Sequence, residues 1–84
     1  MLQRIANDTI TAIDYCPLRK LLELQFAGEK TISQYFDVPE DIWYALKGAP
    51  NMDLFFNTQI LGRYPMKKVS YTDRDVIHKS INIL

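Results

Sequence analysis

The chain has one cysteine, one histidine, three glycines and no excess of either charge. Each scarcity excludes something. A lone Cys16 cannot build an intramolecular disulfide framework. The lone His78 stands 62 positions from it, so the two do not form a spaced metal-ligand set or a nucleophile–base motif. The glycines stand singly at turns, which leaves no glycine-rich loop to cradle a phosphate. A net charge of zero argues against a strongly electrostatic nucleic-acid binder. No run approaches the roughly 20 apolar residues of a membrane span. The opening "MLQRIANDTI" lacks the apolar stretch of a signal peptide. These absences set the expectation of a soluble, cytoplasmic chain in a reducing compartment, with no membrane contact and no cofactor.

What is present reads as one globular domain. Hydrophobic residues make up 48% of 84 positions, without a low-complexity tract or charge block. A core of that size gains from oligomerisation, so a homodimer is expected. "ITAIDYC" reads as a strand, with Ile13 and Tyr15 alternating against Asp14 before Pro17 breaks it. "LLELQFA" puts Leu22, Leu24 and Phe26 on one face and Glu23 and Gln25 on the other. Gly28 marks a turn, and "TISQYF" sets Ser33 and Tyr35 against Ile32, Gln34 and Phe36. Short connections imply an antiparallel meander.

The strand-like run then gives way to "DVPEDIW". Pro39 suits the first position of a helix, Glu40 and Asp41 complement its dipole, and Asp37 is placed to cap it. Ile42, Ala45, Leu46 and Ala49 form the expected buried stripe, with Trp43 on the flank and Tyr44 almost opposite. Asn51 caps a second helix, "MDLFFNTQIL", closed by Gly62. Met52, Phe55, Phe56 and Ile60 share one side of it, and Leu54 and Leu61 form a second ridge. "TDRDVIHKSINIL" has the pattern of a third helix, with Thr72 as cap and Ile77, Ile81 and Leu84 on one side. The expected architecture is α+β: a three-stranded antiparallel meander packed against two helices, with an extra C-terminal helix. Leu22, Leu24, Tyr35, Ile42, Leu46 and Phe56 are expected to share one core.

The pieces "TAIDY", "LLELQF", "SQYFDVPEDIWYAL", "APNMDLFFNTQI" and "RYPMKKV", from about Ile10 to Val69, resemble the KTSC domain. This small module occurs alone in bacterial and phage proteins and at the C-terminus of some lysyl-tRNA synthetases. The resemblance implies a small β-meander with helices. It sets residues 1–69 as a KTSC-like domain and 70–84 as a helical extension. The family's function is unknown, and RNA binding is what has been suggested for it. The chain departs from the family's pattern at three places. A central Tyr-x-Tyr is Ser33-Gln34-Tyr35 here, Ser-Lys-Gly is replaced by Asn51-Met52-Asp53, and Tyr44 stands at a usually polar place. Losing an aromatic and a lysine weakens the inference to RNA, which rests on stacking and phosphate contacts.

No catalytic constellation is present, since the pairs Glu40/Asp41 and Asp73/Asp75 sit at helix starts, where the structural role suffices. Residues 1–62 hold five basic and eight acidic side chains, against five basic and two acidic in 63–84. Two non-enzymatic roles follow, the first the expected one and the second its alternative. A binder of RNA or a nucleotide would use Tyr35, Asn57, Arg63, Tyr64, Lys67 and Lys68, through stacking, an amide and phosphate-pairing cations. A protein-interaction module, such as a small phage or mobile-element regulator or inhibitor, would use Tyr44, Leu54, Leu61, Ile77 and Ile81.

Overall fold

A computed structural model describes residues 2–70. Its order is β1 (Gln3–Arg4), β2 (Ile10–Cys16), β3 (Leu21–Phe26), β4 (Thr31–Tyr35), α1 (Glu40–Gly48), α2 (Met52–Gln59) and β5 (Met66–Ser70). The expected C-terminal helix over 72–84, with Ile77 and Ile81, lies outside the described residues.

The five strands form one antiparallel sheet in sequence order, β1-β2-β3-β4-β5. Each connection has a local cause. The Asn7 carboxamide oxygen accepts the backbone N–H groups of Thr9 and Ile10, both at 2.8 Å, and starts β2. Lys20 takes a left-handed φ of 52° to close the β2–β3 turn, and Gly28 supplies φ 79° between β3 and β4. A bulge at Thr11 shifts the β2–β3 register, so that Ile10 and Ile13 meet the same side of the sheet.

The pairings Leu22↔Tyr15, Leu22↔Tyr35, Leu24↔Ile13 and Leu24↔Ser33 define the face on which both helices pack. From that face Ile10, Ile13, Leu22, Leu24 and Tyr35 join Val38, Leu46, Phe56 and Ile60 in one buried cluster, with Ile42 against its edge. Phe56 sits edge-to-face with both Phe26 (5.2 Å) and Tyr35 (5.7 Å). The expected core is therefore present, and Leu46 is wholly buried.

Four details differ from expectation. The sheet has five strands, not three. Two-residue β1 is too short to show any alternation, and in "MKKVS" only Val69 is buried, so β5 carries almost no hydrophobic signal. α1 is capped at Pro39 with no side-chain hydrogen bond. Asp37 instead takes φ 60° in the loop, because Val38 must bury its side chain and donate its N–H to the Lys20 carbonyl (3.0 Å). Ala45 is exposed: the side of α1 that meets the sheet runs through Ile42, Trp43 and Leu46 instead. The second helix stops at Gln59, and its expected cap is present, with the Asn51 carboxamide accepting the Leu54 N–H at 3.0 Å.

Candidate functional site

The six residues expected to form a ligand site do not converge. Tyr35 is buried in the core under Phe56. Tyr64 is half-buried against that cluster. Asn57 is exposed on α2. The Arg63 guanidinium donates through Nε to the Thr58 carbonyl at 2.9 Å, covering a free carbonyl at the end of α2. Lys67 and Lys68 are neighbours on a strand, so their side chains leave opposite faces of the sheet. Lys68 reaches Glu29 at 2.7 Å across the β4–β5 edge. Among the described residues β5 is an edge strand, where lysines keep an open backbone from pairing with another sheet.

The expected interface residues fare differently. Leu54, Leu61 and Tyr44 are all exposed. Leu54 is 58% exposed and lines a groove of about 360 Å³ at the corner where α1 hands over to α2. Ala49, Pro50 and Asn51 line it from the junction, and Leu54, Phe55, Thr58 and Gln59 line it from α2. The local sequence builds this corner. Pro50 ends the first helix and Asn51 starts the second at once, so Leu54 and Thr58, one turn apart, present the same outer side. The Thr58 hydroxyl donates back to the Leu54 carbonyl at 2.8 Å, so the groove's wall is largely apolar. Tyr44 lies elsewhere, on α1, with its hydroxyl on Glu40 (3.3 Å) and Lys47 over its ring at 5.9 Å.

A second arrangement was not legible in the sequence. Tyr15 of β2 stacks on Trp43 of α1 with centroids 5.6 Å apart, and its hydroxyl donates to the Val38 carbonyl. Lys47 lies over the other ring at 5.1 Å. Burial, and next the nearby Glu40, push the Tyr15 phenol above its ordinary range. This cluster clamps the Val38-Pro39 entry of α1 onto the sheet. Its only sequence signal is an aromatic in β2 on the helix-facing side.

Among the described residues, no three His, Cys, Asp or Glu side chains gather to hold a metal ion, and no helix is long and apolar enough to cross a membrane. Asp41 accepts its neighbour's N–H at the start of α1, which is helix-start chemistry.

The model of the KTSC domain family matches residues 6–64, well over half of the chain. The chain belongs to the KTSC domain family. Its match begins earlier and stops earlier than the Ile10–Val69 resemblance, and covers β2 to β4 with both helices, leaving out β1 and β5. The crystal structure of a KTSC domain protein from Yersinia pestis is similar at 30% identity with a TM-score of 0.78, over 83% of this chain and 97% of that one. No curated protein matches. The α+β fold of this KTSC domain is thus shared with a solved relative. The groove belongs to the matched region, since all its lining residues fall between 49 and 59.

Proposed function

We propose that this KTSC domain is a non-enzymatic protein-interaction module whose α1–α2 corner groove takes an apolar side chain from a partner protein. The observation that supports it is the groove itself, apolar and open to solvent, with Leu54 of its lining more than half exposed. A concave apolar surface edged by a few polar groups is the usual seat of an anchoring side chain. Here the exposed Gln59 amide in the lining can donate to and accept from a partner backbone. A small regulator that occupies a partner's surface is one form of this role. Binding of RNA or a nucleotide has less support, because Tyr35, Asn57, Arg63, Tyr64, Lys67 and Lys68 are spread over the core, two faces of the sheet and a helix end.

The test compares Leu54→Asp with Lys67→Ala/Lys68→Ala, each checked for an unchanged thermal transition. Proteins captured from host extract by the wild-type chain should be lost on Leu54→Asp and kept by the lysine variant. Capture indifferent to Leu54 overturns the proposal. If instead RNA is bound at low salt and the lysine change flattens the salt dependence, the nucleic-acid role takes its place. Sedimentation of the same variants separates a foreign partner from a second copy. A dimer that Leu54→Asp dissociates makes the partner another chain of this protein.

A further inference from the structure

Both helices pack on one face of the sheet, yet the other face is equally closed to water. Ala12, Leu21, Glu23, Ile32, Gln34 and Val69 all alternate onto this second face, and none is more than 5% exposed. None of them belongs to the cluster that holds α1 and α2, nor to the side chains packed against it. A sheet face becomes dry only when another layer lies on it. The described helices are committed to the first face, and the chain still has 14 residues beyond Ser70.

We infer that the second face of the sheet is the docking surface for the chain's own C-terminal segment, residues 71–84, seated by Ile77, Ile81 and Leu84. The three apolar residues recur at the i, i+4, i+7 spacing of one helix side. The segment leaves the sheet beside its target: Val69 pairs with Ile32 on the second face, one residue before the strand ends. Its length fits. Thirteen helical residues rise about 20 Å, whereas β5 to β2 is three strand spacings, about 14 Å. Ala12, Leu21, Ile32 and Val69 therefore all lie within reach. In the middle of this face the Gln34 amide donates to the Glu23 carboxylate at 2.9 Å. Arg74 stands three residues before Ile77 and seven before Ile81, on the same side, so a cation comes near that carboxylate and the docking acquires one register. The KTSC match ends at residue 64, so the cover is an addition beyond the family's matched region.

Methyl-labelled full-length protein tests this directly. Nuclear Overhauser contacts should join the methyls of Ile32 and Val69 to those of Ile77, Ile81 or Leu84. They should persist within single chains when labelled and unlabelled protein are mixed. Contacts only between chains, or none at all, overturn self-docking. In the full chain, Ile81→Asp should shift the methyl signals of Ile32 and Val69 and leave those of Leu46 and Ile60 in place. Signals of the second face unmoved by this change also overturn the inference. If Ile81→Asp does not fold, the wild-type contacts decide alone. Because the groove lies on the helices and the docking surface on the opposite side of the sheet, neither test bears on the other.

Discussion

The two faces of the sheet are buried to the same degree by different chemistry. On the helix side, Leu22, Leu24 and Tyr35 meet Leu46 and Phe56 in an apolar layer. On the far side, Ile32 and Val69 share the surface with a hydrogen-bonded carboxylate–amide pair, Glu23 with Gln34. Alternation of apolar and polar residues in an antiparallel strand usually means one face in and one face out. Here "LLELQF" alternates and both faces are in. The difference teaches that a polar residue on a strand marks a face without saying whether that face is wet.

The comparison can be broken most forcefully on the helix side. Leu46→Ala should cost about 2–5 kcal/mol in urea unfolding, a large share of the stability of so small a domain. A cost below about 1 kcal/mol would mean that α1 does not seal the apolar layer.

On the far side the loss should come from coupling rather than volume. Glu23→Leu leaves the Gln34 amide buried without its carboxylate and should cost about 1–3 kcal/mol. The Glu23→Leu/Gln34→Leu double variant should cost less than the two single losses together, by about 0.5–3 kcal/mol. Strict additivity in that cycle would show that the pair is only adjacent.

A smaller effect separates the two helix starts. Asn51→Ala removes a side-chain cap from α2 and should lower stability by about 1 kcal/mol. Asp37→Gly, before α1, should not, because no side chain caps that helix and glycine accepts the φ of 60° at that position. Equal losses at both positions would contradict the capping geometry.

The smallest effect is alkaline. Burial, and after it Glu29, push the Tyr35 phenol above its ordinary value of 10.0. The folded chain therefore keeps a proton that the unfolded chain releases near that value. This contribution to stability is complete below about pH 10 and is lost as pH rises through the raised folded value. Thermal midpoints should fall more steeply above pH 10 for the wild-type chain than for Tyr35→Phe. Identical alkaline slopes would place the titrating group elsewhere, with Tyr15 the next candidate.

Much of the helix side was legible in the residues alone. Period-two alternation identified Leu22, Leu24 and Tyr35 as one face, and the cap at Asn51 follows from local hydrogen-bonding chemistry. The cluster of site candidates was less legible. Lys67 and Lys68 look like a pair in the sequence, but once β5 is a strand they leave opposite faces. The groove was half visible: exposure of Leu54 follows from its place opposite Phe56 on α2, whereas the concavity beside it needs the α1–α2 corner to be built.

The sequence by itself determined which residues alternate, where the helices start and stop, and which side of each element is apolar, because these depend on backbone geometry within a few residues. Only the tertiary structure decided that Gln3–Arg4 and Met66–Ser70 join the sheet. Edge strands form by pairing with a partner strand, and their own side chains need carry little apolar signal. It also decided that Glu23 and Gln34 are dry. Burial is a property of what lies over a residue, and a strand's own alternation does not say what that is.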